Sequence, residues 1–120
     1  MVCLGNICRS PLAEGILKRK IEDSGLDWEV DSAGTGSWHV GEAPDPRSVE
    51  VARKYGIDIK GQRARQFDRT DFDRFDLILA MDQSNYQDIL RLARSEYEEE
   101  KVKMILNYVQ PAADRGVPDP

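Results

Sequence analysis

Near the start of the chain Cys3 and Arg9 stand six positions apart, with Ser10 directly after. A thiolate is a strong nucleophile, a guanidinium offers a planar fork that matches two phosphate oxygens, and a serine hydroxyl can donate to sulfur. Between them lie Leu4, Gly5, Asn6, Ile7 and Cys8. Gly5 permits unusual backbone angles and Asn6 tolerates left-handed ones, so successive N–H groups of this loop can turn inward as an anion-binding nest. Such a nest favours negative charge on a bound oxyanion and on the Cys3 sulfur beneath it. Cys3 is therefore the expected nucleophile and Arg9 the expected phosphate clamp, able to follow charge spread over a transferring phosphoryl group. Ser10 is expected to donate to the sulfur. GxxxxGK[ST] is absent, so the loop is not the nucleotide-binding kind.

The elements around the loop fit that chemistry. Met1 to Cys3 reads as a strand end, and Ser10-Pro11 as a helix start whose positive end backs the nest. Leu12, Ile16, Leu17 and Ile21 suggest that helix's apolar face, and Gly25 its end. Trp28 and Val30 alternate with polar neighbours as a short strand, followed by a Gly- and Pro-punctuated loop from residue 33 to 46. Asp45-Pro46 starts a second helix, with Val49, Ala52 and Tyr55 on its apolar face and Gly56 beyond it. Residues 75–81, FDLILAM, form the strongest buried-strand candidate, and Asp82 caps an amphipathic helix reaching Leu92. SEYEEEK reads as a solvated turn or helix end, Val102 to Val109 as a last strand, and the remainder as loop. Strands alternating with helices predict an α/β fold, a three-layer flavodoxin-like arrangement with a mainly parallel sheet, in which ligands bind beyond the carboxyl ends of the strands. Cys3 to Arg9 occupies such a position.

Composition narrows the partners. With 120 residues the chain suits one domain, and 40% hydrophobic with 32% charged residues is the balance of a folded globular protein. A net charge of −5 gives no field for nucleic acid, so any anion is bound locally. No apolar run approaches a membrane span and no signal peptide precedes the loop, which predicts a cytoplasmic protein without a membrane partner. The only cysteines, Cys3 and Cys8, are too close to staple a fold and lack zinc-knuckle spacing; with His39 the sole histidine, neither metal nor cofactor is expected. Taken alone, Cys8 is equally an ordinary small buried residue.

Val2 to Pro11 matches V-C-x-G-N-x-C-R-S-P, and the likeness continues through Ser32-Ala33-Gly34-Thr35, Trp38, Pro44-Asp45-Pro46-Arg47, Ala64-Arg65-Gln66, Met81-Asp82, Asn85 and Asp119-Pro120. In these residues the chain resembles the low-molecular-weight protein tyrosine phosphatases. The resemblance implies a four-stranded parallel sheet and hydrolysis of phosphotyrosine in a protein substrate by two in-line displacements through a phosphocysteine. It implies Cys3 as nucleophile, Arg9 as clamp and Asp119 as the acid that protonates the leaving phenol and then activates water. It gives Asn6, Ser10 and Ser32 the shell that supports the loop, and Trp38 a wall of the aromatic pocket, in place of an ordinary core tryptophan. It also implies that Cys8 can form a protective disulfide with Cys3.

The resemblance further implies one phosphatase domain over 1–120 that lacks part of its first strand, the tyrosines that follow Pro120 in the family, and the final helix, so the chain is expected to be a piece of a longer enzyme. Gln62 stands where some relatives carry histidine, and can still hydrogen bond. Arginine phosphatases and thioredoxin-linked arsenate reductases share the fold and loop. Against the first, Ile7 is apolar where those enzymes resemble one another in a threonine; against the second, no cysteine follows Cys8. A phosphate-binding module without turnover and a purely structural flavodoxin-like domain are the remaining alternatives. Arg47, Arg63, Arg65 and Arg69 are either ordinary solvated charges or a basic rim selecting acidic flanks.

Overall fold

A computed structural model describes residues 1–108 and Gly116. Along the chain β1 (Val2–Cys3) leads into α1 (Arg9–Ser24), followed by β2 (Ala33–Gly34), α2 (Pro46–Lys54), α3 (Asp71–Arg74), β3 (Ile78–Ala80), α4 (Gln83–Leu90), α5 (Glu96–Glu99) and β4 (Val102–Met104). A 3-10 turn, Ile105–Tyr108, continues from β4. The strands form one sheet in the order β2-β1-β3-β4, and every pairing is parallel. This is the expected four-stranded parallel sheet with flanking helices.

β1 is an interior strand: Val2 pairs with Ala33 of β2 on one side and with Ala80 of β3 on the other. The chain crosses from β1 to β2 in one direction and from β3 to β4 in the opposite one, so a crevice opens beyond the carboxyl end of β1, where Cys3 is the last residue. Strand alternation turns Val2, Ala33, Ile78, Ala80 and Val102 to one face, where they form the core with Phe67, Phe72 and Ile89. Phe67 and Phe72 meet edge to face at 5.3 Å between ring centres. The next residues along, Cys3 and Gly34, point to the other face. α1 packs against β1 and α2, and α4 lies over β3 and β4.

The caps follow the sequence signals. Gly25 adopts φ +68° and closes α1, its N–H and that of Leu26 bonding the carbonyls of Glu22 and Ile21. Asp45 accepts the Arg47 N–H ahead of α2, and Asp82 the Asn85 N–H ahead of α4.

Several expectations need correction. Trp28 and Val30 are not in a strand: β2 is Ala33–Gly34, because the ladder begins where Met1 lies opposite Asp31 and Ala33, and Trp28 stands exposed upstream of it. β4 ends at Met104 rather than Val109, which lies outside the described residues; the chain tightens into the 3-10 turn there. The inner face of α1 is Ser10, Pro11, Glu14, Gly15 and Ile21, with Ile16 exposed. A helix that starts beneath a phosphate loop turns polar and small residues inward: a Cβ on Gly15 would lie 2.6 Å from Ile59. Tyr55 is exposed rather than on the buried face of α2. SEYEEEK contains a capped turn of helix, α5, whose Glu98 is buried against Arg94.

Candidate active site

The loop from Cys3 to Arg9 is built from both ends. Behind it, the Gly34 N–H bonds Arg65 O, while the Thr35 and Gly36 N–H groups bond the carbonyls of Cys3 and Leu4, so the loop rests on the segment leaving β2. Gly34 permits that approach: a Cβ there would lie 2.7 Å from Leu4 O and 3.1 Å from Asn6 N. Among the described residues, Asn6 alone of the non-glycines has positive φ, 57°, as expected for a residue that turns the loop inward. Farther along, Asp45 N–H bonds Ile7 O at 2.6 Å and Ser48 Oγ donates to Cys8 O at 3.2 Å, which ties the loop to α2.

The Cys3 thiol is buried at the bottom of this loop. The Asn6 N–H donates to its sulfur at 3.2 Å, and Ser10 Oγ lies 3.1 Å away. The N-cap of α1 is Cys8, whose side chain makes no cap bond, and the positive end of the helix faces the end of the loop. Arg9, its side chain 7% exposed, places Nη1 2.7 Å from Asp82 Oδ2. Burial pushes the Asp82 carboxyl up, but bonds from Arg9 and from the Asn85 and Ser84 N–H groups outweigh it and hold the group below the usual carboxylate range.

Behind the sulfur the polar side chains form a connected set. Asn6 Nδ2 donates to Ser10 Oγ at 2.7 Å and to Ser32 Oγ at 3.0 Å, Ser32 Oγ donates to Glu14 Oε1 at 2.6 Å, and Asn6 Oδ1 accepts the Arg65 N–H at 3.0 Å. The Arg65 side chain is forked onto buried Asp71 and reaches Asp31. Burial works against its charge, yet the two carboxylates prevail and hold the guanidinium above its ordinary value. Gln62 does not join this set: its Nε2 donates to Pro11 O, and its Oε1 is buried without a partner among the described residues.

A cavity of about 160 Å³ opens above the sulfur, lined by Cys3, Leu4, Gly5, Ile7, Cys8, Arg9, Trp38 and His39. Trp38 is 72% exposed, which rules out a core tryptophan and suits a wall. Its ring lies over Gly36, and His39 lies over Gly5. A larger groove of about 460 Å³ runs between α1 and residues 56–63, away from the sulfur, with charges of both signs. The cavity holding the nucleophile is the smaller one.

Every site residue expected from residue 3 to residue 38 converges here, whereas Asp119 lies outside the described residues. Gly116, three positions earlier, packs against Asp82: a Cβ on it would lie 2.7 Å from Asp82 Cβ. None of Arg47, Arg63, Arg65 and Arg69 lines this cavity: Arg47 pairs with Asp45 and Arg65 with Asp31 and Asp71, while Arg63 and Arg69 donate to the Lys60, Gln62 and Leu92 carbonyls. Sequence reasoning overlooked Glu14, the partnership of Arg65 with Asn6, and His39 at the cavity wall. Glu14 left a signal, a carboxylate one helical turn beyond Ser10 and Pro11 on the inward face. Cys3 and Cys8 are not joined in a disulfide.

The sequence model described as low molecular weight phosphotyrosine protein phosphatase matches residues 1–120. A Schizosaccharomyces pombe protein, the low molecular weight phosphotyrosine protein phosphatase, is 45% identical over 99% of this chain and 77% of its own. A crystal structure of protein tyrosine phosphatase from Entamoeba histolytica, with Hepes in the active site, superposes with a TM-score of 0.91 at 37% identity, over 99% of this chain and 76% of that one. The Drosophila arginine phosphatase structure superposes with a TM-score of 0.90 at 36% identity, over 99% of this chain and 77% of that one.

Proposed function

This chain belongs to the low molecular weight protein tyrosine phosphatase family, and from that premise we propose that it hydrolyses phosphotyrosine in protein substrates through a phosphocysteine at Cys3. The observation that carries the assignment is the Cys3 sulfur, which accepts the Asn6 N–H and lies 3.1 Å from Ser10 Oγ beneath a loop that ends in Arg9 at the start of α1.

The thiolate attacks phosphorus in line with the phenolic oxygen; the S–P bond forms as the P–O bond breaks. N–H groups of the loop and the Arg9 fork hold the equatorial oxygens. The leaving phenolate takes a proton, a role we give to the Asp119 carboxyl. Support for it comes from Gly116, three positions before Asp119 in the sequence, which packs against Asp82, the partner of Arg9. Water then attacks the phosphocysteine, the Asp119 carboxylate takes its proton, and the S–P bond breaks to return thiolate and inorganic phosphate. Trp38 and Leu4 offer the aromatic ring apolar walls.

Ile7 sets the tyrosine reading apart from the arginine reading, because an apolar side chain in the cavity wall suits a phenyl ring. The test is hydrolysis of para-nitrophenyl phosphate, a phosphotyrosine peptide and a phosphoarginine peptide without added metal. We expect turnover of the first two, abolition by Cys3→Ser with oxyanion binding retained, and a larger loss from Asp119→Asn on phosphotyrosine than on an aryl phosphate with a more acidic phenol. Turnover of phosphoarginine alone would contradict the tyrosine assignment, and full activity of Cys3→Ser would contradict the nucleophile.

A further inference from the structure

Glu14 is a carboxylate of α1 that is 3% exposed, and none of the steps above uses it. It nevertheless terminates the hydrogen-bond chain that begins at the Cys3 sulfur, and donor and acceptor inventories fix how that chain runs. The Arg65 N–H donates to Asn6 Oδ1 at 3.0 Å, which sets the amide with Nδ2 toward the two serines. The hydrogens of Nδ2 go to Ser10 Oγ and Ser32 Oγ, so each hydroxyl accepts there and sends its own hydrogen elsewhere. Ser32 sends its hydrogen to Glu14 Oε1 at 2.6 Å, and a carboxylate can only accept. Ser10 sends its hydrogen to Cys3 Sγ at 3.1 Å.

We propose that Glu14 is a positioning residue for the nucleophile: as an acceptor-only terminus it takes the Ser32 hydrogen and keeps Ser32 Oγ as an acceptor for Asn6 Nδ2, a second anchor beside the Arg65 N–H for the amide that makes Ser10 donate to the Cys3 sulfur. Lys18, one turn along α1, supplies its countercharge, with Nζ 2.7 Å from Glu14 Oε2. A terminus that could donate would compete with Asn6 for Ser32 Oγ, leave the amide anchored by the Arg65 N–H alone and so loosen the constraint on the Ser10 proton. The other charges near this end of the chain are the Met1 amino group, Asp31 and Arg65; Arg19, Glu22, Asp58 and Arg63 line the groove on the outer side of Glu14.

The inference deepens the reading of Cys3 as the nucleophile, so its test measures the sulfur itself. Alkylation of Cys3 by iodoacetamide, mapped to its peptide to separate it from Cys8, is followed against pH for the full chain and for Glu14→Gln, Glu14→Asp and Ser32→Ala. Melting temperature serves as the control for folding. Glu14→Gln and Ser32→Ala are expected to slow alkylation at neutral pH about tenfold or more, the scale of one charge-assisted hydrogen bond, and to move the curve to higher pH. Glu14→Asp restores part of the rate, and kcat on para-nitrophenyl phosphate falls in parallel while KM stays within about twofold. Folded Glu14→Gln and Ser32→Ala proteins alkylated at the parent rate and pH dependence would overturn the proposal. Where Glu14→Gln fails to fold, Ser32→Ala decides it. Alkylation needs no turnover, so a chain that hydrolyses nothing would sink the phosphatase reading and leave this result standing.

Discussion

Asp82 Oδ2 lies 2.7 Å from Arg9 Nη1 while Oδ1 of the same carboxylate accepts the Asn85 N–H at 2.8 Å. One side chain therefore starts α4 and aims the phosphate clamp, and the two roles separate by substitution. Asparagine is as good a helix cap as aspartate but carries no charge, so Asp82→Asn is expected to cost under about 1 kcal/mol of stability while lowering kcat/KM for para-nitrophenyl phosphate about tenfold. Asp82→Ala loses the cap as well, about 1 kcal/mol more in urea unfolding. Parent kinetics in Asp82→Asn would show that Arg9 needs no such aim.

Gly34 is where the loop meets its support. An alanine methyl would sit 2.7 Å from Leu4 O and 3.1 Å from Gly5 C, neither of which can yield without moving the phosphate loop. Gly34→Ala is expected to keep the fold at a cost of about 1–3 kcal/mol, and to lose most turnover and phosphate affinity together. Unfolding curves and inhibition by inorganic phosphate check it; a folded variant with parent affinity would mean that the loop tolerates displacement.

Acid should destabilise the protein through a few identifiable carboxylates. Asp82 is depressed for the reasons given, Asp45 by bonds from Arg47, Asp68 by the Thr70 N–H, and Glu98 by Arg94. A group held below its unfolded value contributes stability that is present above that value and lost as pH falls through the folded one. Urea midpoints are therefore expected to decline as pH falls below about 4. Asp82→Asn, which has one such group fewer, declines less steeply; a midpoint that rose on acidification would contradict the assignment.

The parts of the fold most legible in the sequence were those that local chemistry dictates. Gly25, Asp45-Pro46 and Asp82 mark helix ends because the orphaned N–H and C=O groups there need particular partners. Cys3, Arg9 and Ser10 are legible as a site through their context, a loop with Gly5 and Asn6 between a strand end and a helix start. What periodicity missed was decided by tertiary surroundings. Trp28 and Val30 have the alternation of a strand but lie upstream of the ladder. The inner face of α1 is polar because it lies under the loop, so Glu14 interrupts the apolar pattern that Leu12, Ile16, Leu17 and Ile21 suggest. Arg65 reads as a surface charge, and only the approach of Asn6 and Asp31 from distant parts of the chain, with Asp71 from the next turn, places it in the support of the loop.

The central claim is covalent, and the most direct measurement is acid quenching of the protein during turnover of para-nitrophenyl phosphate, followed by peptide mass spectrometry. One phosphoryl group on the Cys3 peptide, increased in Asp119→Asn and absent from Cys3→Ser, is the expected result. Sustained hydrolysis with Cys3 never phosphorylated, or with the phosphoryl group on another residue, would contradict it.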